Sequence, residues 1–252
     1  MRRLTPKARR RRAPTVLATD LDGTFLGGDE AARATLYDWI AARRDEIVLI
    51  FVSGRGLSFM RELAQQLPLR PDHAIANVGT SVAVGPDWES LPELESWLDA
   101  RWPADAPMRI AQALAPYPGL TRQPVVEGRR VSLYYTDSAE VRAAQAAVDH
   151  IGFETLLSDN RYFDVLPPGV RKGPTLLRTL SALGLARERT LVAGDTLNDL
   201  SLFETGLSGV AVGNSEQALV RAIRGRPNVH LSAQEGAAGV LEALSAFHER
   251  GM

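Results

Sequence analysis

The stretch Val16-Leu17-Ala18-Thr19-Asp20-Leu21-Asp22-Gly23-Thr24 constrains the fold of this chain more than any other. Its first half is apolar without alternation, so both faces of the strand it predicts must be covered, as in an interior strand of a parallel sheet. Its second half ends that strand with two aspartates one residue apart, then glycine and threonine, a turn signal. In open α/β sheets sites form outside the carboxyl ends of the strands, which is where this turn must lie.

The same rhythm repeats along the chain. Ala32, Leu36, Trp39 and Ile40, with charges between them, predict an amphipathic helix over 29–44. Ile47-Val48-Leu49-Ile50-Phe51-Val52 predicts a second buried strand, which ends in Ser53-Gly54-Arg55-Gly56 before a helix over 57–67. Short strands are expected at 74–77 and 81–84, on either side of Gly79-Thr80. Lys172-Gly173-Pro174 opens a helix that Gly184 stops, with proline suited to the first turn. Thr190-Leu191-Val192-Ala193 predicts a buried strand ending in Gly194-Asp195-Thr196-Leu197-Asn198-Asp199; a further strand is expected at 209–214 and a closing helix over 235–247.

Between these blocks the character changes. Prolines recur from Pro86 to Pro124, and Trp88, Trp97 and Trp102 cluster among them. Val131-Ser132-Leu133-Tyr134-Tyr135 and Tyr162-Phe163-Asp164-Val165-Leu166 alternate, with a helix expected over 138–151 between them. Half-exposed antiparallel strands predict a separate module. The fold class expected is therefore α/β: a Rossmann-like, doubly wound parallel-sheet core from residues 13–85 and 168–252, with an α+β cap inserted at 86–167.

Composition excludes several classes. The absence of cysteine removes disulfide frameworks, thiolate catalysis and cysteine-ligated zinc. No apolar run approaches the roughly 18–20 residues that cross a bilayer, and no secretory h-region opens the chain, so no membrane partner and a cytoplasmic location are expected. The net charge of −1 hides a basic leader at 1–12, with Arg2, Arg3, Lys7, Arg9, Arg10, Arg11 and Arg12 and no acid. A like-charged run without apolar partners cannot fold alone, so this leader is expected to be disordered, and nucleic acid is not an expected partner.

The chemistry resides in four groups that this topology sends to one sheet edge: Asp20 and Asp22, Ser53, Lys172, and Asp195 with Asn198 and Asp199. Each alone has an ordinary explanation as a turn, cap or surface residue. Together they bring carboxylates so close that a compensating cation is required. With only oxygen ligands on offer the expected ion is Mg²⁺, which usually serves a phosphate. One carboxylate can attack phosphorus, a second can protonate the leaving oxygen and then activate water, and Ser53 and Lys172 can hold phosphoryl oxygens.

Asp20-Leu21-Asp22-Gly23-Thr24, Ser53-Gly54-Arg55, Lys172-Gly173 and the 194–199 segment resemble, in order and spacing, the four motifs of the haloacid dehalogenase superfamily of phosphatases. The resemblance implies Asp20 as nucleophile and metal ligand, and Asp22 as general acid and base that also offers its backbone carbonyl to the metal. Asp195 and Asp199 are implied at the metal. Ser53, Gly54, Lys172 and Asn198 are implied at the phosphoryl group, with Arg55 at the substrate. An insertion between Gly79-Thr80 and Lys172 is similar to that of the branch with a large α/β cap, type IIB. Pro71–Thr80, Asp164-Val165-Leu166-Pro167 and Val212-Gly213-Asn214 resemble the sucrose-phosphate phosphatase group within it. Gln123, Glu127, Arg130 and Ser132 resemble that group's cap segment, with arginine at a lysine position, a shorter spacing from Glu127 to Arg130, and Gly128 in place of a glutamine.

The function expected is Mg²⁺-dependent hydrolysis of the phosphomonoester of a small phosphorylated sugar, best matched by a disaccharide or glycoside phosphate, through an aspartyl-phosphate. A glycosyltransferase upstream is the expected metabolic partner. Alternatives are a phosphosugar mutase of the same fold, a phosphatase of simple hexose phosphates and, from another class, a non-catalytic binding module.

Overall fold

The computed structural model describes residues 13–124, 128–158 and 160–250, so the basic leader and Glu127 lie outside the described residues. The chain begins with β1 (Thr15–Thr19), α1 (Glu30–Ala41), β2 (Ile47–Val52), α2 (Leu57–Gln66), β3 (His73–Ala76) and β4 (Ser81–Val84). There follow α3 (Pro92–Asp99), α4 (Ala106–Leu114), β5 (Thr121–Arg122), β6 (Val131–Tyr134), α5 (Ser138–His150), β7 (Glu154–Ser158) and β8 (Tyr162–Leu166). The last part contains α6 (Lys172–Ala182), β9 (Thr190–Gly194), α7 (Leu200–Phe203), β10 (Ser208–Ala211), α8 (Gln217–Ile223), β11 (Val229–Leu231) and α9 (Gly236–Arg250).

Seven strands form one sheet in the order β11-β10-β9-β1-β2-β3-β4. Neighbours run parallel except β4, which is antiparallel to β3. The exception follows from the connection: four residues, Asn77 to Thr80, reverse the chain, whereas a parallel pairing needs a long crossover. β1 lies between β2 and β9, at the point where the chain changes direction across the sheet.

Unbroken apolar runs have a direct structural counterpart. Leu17, Leu49 and Phe51 face a cluster with Leu36, Ile40 and Val240, while Val16, Ala18, Ile50 and Val52 face one with Leu176 and Leu180. Each of these strand residues is therefore buried, on one face or the other, and each large side chain contributes on the order of 1.5–3 kcal/mol by leaving water. Helix α1 starts at Glu30 because the Asp29 carboxylate accepts from the Ala32 amide at 2.8 Å, an N-cap that sets the boundary.

A second, antiparallel sheet has the order β5-β6-β8-β7. Val131, Leu133, Phe163 and Val165 pack with Ile110, Val141 and Val148, so α4 and α5 cover one face. The alternate residues Ser132, Tyr134, Tyr162 and Asp164 lie on the other face, in register as Ser132 with Asp164 and Tyr134 with Tyr162. The apolar clusters change between α3 and α4, later than the change in composition at Pro86. Trp88 and Leu94 pack with the core clusters, and the Arg178 guanidinium lies 4.5 Å over the Trp97 ring. Among the described residues no helix is long and apolar enough to cross a membrane.

Candidate active site

The sheet brings its functional side chains to one edge. The Asp20 amide donates to the Ala193 carbonyl at 2.9 Å, which carries β1 on beside β9 and sets Asp20 next to the Asp195 turn. Ser53 leaves β2 with its amide on the Ile75 carbonyl at 2.9 Å, and Lys172 is the first residue of α6. Lys172 is fully buried, and its ammonium donates to Asp20 Oδ1 at 2.7 Å, Asn198 Oδ1 at 2.6 Å and Asp199 Oδ1 at 2.6 Å. These contacts use all three donors of the ammonium.

Asp199 is committed through both oxygens. Oδ1 takes Lys172, while Oδ2 accepts from the amides of Asp195 and Thr196, both at 3.1 Å, and so shapes the loop that carries Asp195. Thr24 Oγ1 donates to Asp195 Oδ1 at 2.7 Å, tying the first motif to the last. Gly23 has φ +78, and a Cβ there would stand 2.3 Å from Asp195 Oδ2, so only glycine lets this turn approach.

Asp20, Asp195 and Asp199 each offer an oxygen within 4.8 Å of the others, against one ammonium. Burial, added to the charge of Asp199 and Asp195, pushes Asp20 up to about 8 despite Lys172. Burial likewise raises Asp195 to about 7, against the Thr24 hydrogen bond. Burial would lower Lys172, but Asp199 and Asp20 overcome it and hold the ammonium charged. The cluster is short of positive charge, and its all-oxygen donor set fits a hard divalent cation.

Ser53 is buried, and its Oγ accepts from the Arg55 amide at 3.2 Å. The carbonyls of Ser53 and Arg55 accept from the amides of Val78 at 3.1 Å and Asn77 at 2.9 Å, which clamps the loop after β2. Asn77, Val78 and Gly79 have φ of 52°, 60° and 106°, and a left-handed valine is strained. A Cβ at Gly79 would lie 2.6 Å from the Arg171 carbonyl, so this turn also presses directly on the start of α6.

Above the edge lies a cleft of about 500 Å³ between the core and the second sheet, lined by Asp20, Asp22, Ser53, Arg55 and Asn198 from the core side. From the cap side Gln123, Arg130, Tyr134, Tyr162 and Asp164 face it. Gln123 Nε2 donates to the Leu133 carbonyl at 2.8 Å. Arg130 is buried; it donates to the Gly54 carbonyl at 3.2 Å across the cleft and stands 3.9 Å from Asp164. Ser132 hydrogen-bonds Asp164 and is buried. A larger cavity, about 730 Å³, lies near the amino ends of β9 and β10 and contains none of these residues.

The fold thus brings Asp20, Asp195, Asp199, Asn198 and Lys172 into one network, with Ser53 and Gly54 beside it. The Asp22 side chain is not in the acidic cluster; it bonds Arg55 at 2.8 and 3.2 Å. Phe59 and Tyr162 line the cleft without having been singled out from the sequence, whereas Thr24, Asn77 and Asp164, quoted there only within motif stretches, support or line the site. For Tyr162 the signal is the alternation of residues 162–166, which assigns it to the same face as Asp164.

Solved structures place the fold among haloacid dehalogenase-like hydrolases, one of them from Bacillus subtilis at TM-score 0.67 and 16% identity over 93% of this chain and 92% of that one. A family model described as sucrose-6F-phosphate phosphohydrolase matches residues 13–248, and the chain belongs to that family. The sucrose-phosphatase of Synechocystis, solved with sucrose and phosphate, aligns at TM-score 0.83 and 25% identity, covering 94% of this chain and 98% of that one. The mannosylfructose-phosphate phosphatase of Agrobacterium fabrum is 32% identical over 91% of this chain and 95% of its own length. The glucosylglycerol-phosphate synthase of Pseudomonas anguilliseptica is 40% identical over 92% of this chain, which spans 30% of that protein. The chain spans 60% of sucrose-phosphatase 1 of Nicotiana tabacum, at 28% identity.

Proposed function

We propose that this protein is a Mg²⁺-dependent phosphatase that hydrolyses the phosphomonoester of a small glycoside. The observation that carries the reading is the Lys172-bridged carboxylate cluster at the carboxyl edge of the sheet, facing a cleft closed by a polar cap face. The relatives support the substrate class, since sucrose-phosphate, mannosylfructose-phosphate and glucosylglycerol-phosphate, for which they are named, are all glycosides bearing a phosphate.

Asp20 attacks phosphorus; the bond from phosphorus to the sugar oxygen breaks, and Asp22 gives that oxygen a proton. Asp22 then takes a proton from water, which attacks phosphorus of the aspartyl-phosphate and releases phosphate with Asp20 restored. Lys172 holds Asp20 in place and partly offsets the cost of its buried charge, and Ser53 with the Gly54 and Arg55 backbone holds phosphoryl oxygens. Asp20, Asp195 and the Asp22 carbonyl hold the ion, while Asp199, with both oxygens engaged, positions Lys172 and the Asp195 loop. Mg²⁺ bound there supplies the charge that lets a phosphate dianion approach a carboxylate. Gln123, Arg130 and the Tyr134–Tyr162 pair choose the glycoside. The reading includes a cytoplasmic enzyme and an upstream glycosyl transfer onto a phosphorylated acceptor.

The test is phosphate release from sucrose 6-phosphate, glucosylglycerol phosphate, mannosylfructose phosphate and simple hexose phosphates, with and without Mg²⁺. The glycoside phosphates are expected to be hydrolysed only with Mg²⁺, and Asp20→Asn to abolish release while keeping the fold. Turnover by Asp20→Asn would overturn the mechanism, and a preference for hexose phosphates would overturn the substrate class.

A further inference from the structure

We propose that Arg55 exchanges partners on substrate binding: its guanidinium holds Asp22 aside while the cleft is empty, and turns to the phosphorylated substrate when that enters, releasing Asp22 toward the leaving oxygen. The inference rests on the phosphatase reading above and adds a positioning role for Arg55.

The geometry of the pair carries the argument. Arg55 Nε and Nη2 donate to Asp22 Oδ2 at 2.8 Å and Oδ1 at 3.2 Å, so the fork occupies both carboxylate oxygens. Both oxygens of a carboxylate held this way are engaged by the fork, which competes with a leaving oxygen for them. Both side chains are about half exposed, at 52% and 54%, so water competes and the contact is readily given up. A phosphate dianion offers the same fork a closer match with more charge.

The surroundings let the guanidinium move while the backbone stays. The Arg55 amide is fixed on Ser53 Oγ and its carbonyl on the Asn77 amide at 2.9 Å, next to the expected phosphoryl position. The guanidinium carbon lies 4.8 Å over the Phe59 ring, a flat face on which it can reorient without losing its cation–π contact. Asp22 precedes Gly23 at φ +78, in a turn that leaves its side chain outside the buried network of Asp20.

The test is calorimetric binding of inorganic phosphate, in the presence of Mg²⁺, to the wild type, Asp22→Asn, Arg55→Ala and the double variant. Asp22→Asn is expected to bind phosphate about 3- to 10-fold more tightly because Arg55 is released, and the gain is expected to vanish in the Arg55→Ala background. Arg55→Lys, which keeps the charge without the fork, is expected to shrink the gain and serves if the alanine variant folds poorly. A gain that persists undiminished without Arg55 would be plain removal of a negative charge and would overturn the exchange, as would no gain at all. Wild-type turnover together with either of those results fails the exchange alone; a wild type that releases phosphate from no phosphomonoester fails the phosphatase reading as well.

Discussion

Lys172 Nζ and Asp20 Oδ1 are 152 residues apart in the chain and 2.7 Å apart in the structure, both buried. The pair joins the two segments that flank the inserted cap, so the chemistry depends on the core closing around the insertion. Lys172 is also the one ammonium among three carboxylates of the cluster.

Lys172→Met should therefore damage both fold and function. Removing one partner of a buried ionic network leaves uncompensated charge, at about 3–5 kcal/mol. The expected result is a lowered melting temperature, together with loss of phosphate release. A melting temperature within a degree of wild type at neutral pH would contradict the charge balance described here.

Stability without metal should depend on pH in a defined direction. Asp20 and Asp195 have folded values of about 8 and about 7, above the ordinary 3.8, so the folded state binds more protons than the unfolded chain between those limits. Stability in EDTA should then fall as pH rises from about 4 to about 8. Mg²⁺ should restore it, with a larger thermal shift at pH 8 than at pH 5. An equal Mg²⁺ shift at both values would mean that these carboxylates do not hold the ion.

Asp20→Asn makes a complementary case. Replacing a carboxylate that burial disfavours by a neutral amide should raise the metal-free melting temperature at pH 8, while turnover disappears. Differential scanning fluorimetry in EDTA and a phosphate-release assay measure the two effects on the same samples.

Gly23→Ala should weaken metal binding from outside the cluster. An alanine there must adopt φ +78, at about 1–2 kcal/mol, and its Cβ would press on Asp195 Oδ2. A Mg²⁺ titration of activity should show a raised half-saturation point, whereas a purely conformational penalty would lower stability and leave the metal affinity alone.

Tyr162→Ala should raise KM for a glycoside phosphate more than it lowers kcat. The Tyr134 and Tyr162 rings stand 5.7 Å apart on the cap face that lines the cleft. Small aryl phosphates, which do not reach the cap, should be affected less; an equal loss on both substrates would place Tyr162 in the reaction centre.

Much of this was legible locally. The unbroken apolar runs before Asp20, Ser53 and Asp195 specify strands covered on both faces, because such strands are stable only inside a two-sided layer, and the carboxyl ends of those strands then locate the site. Alternation at 131–135 and 162–166 specifies a half-covered sheet for the same reason. Composition was a poorer guide: the prolines after Pro86 mark an irregular connection, yet Trp88 and Leu94 still pack on the core.

The sequence by itself determined the strands that end in the motifs, the order of those motifs and the residue types available for chemistry, since each follows from contacts between near neighbours and from side-chain chemistry; the short strands at 121–122, 154–158 and 229–231 carry no such local signal. Only the tertiary structure decided which oxygen meets which donor: Thr24 on Asp195, both oxygens of Asp199 engaged, and Asp22 on Arg55, 33 residues away, instead of in the acidic cluster. Those choices depend on the paths of separate strands to one edge and on the balance of buried charge there, and no local pattern encodes either.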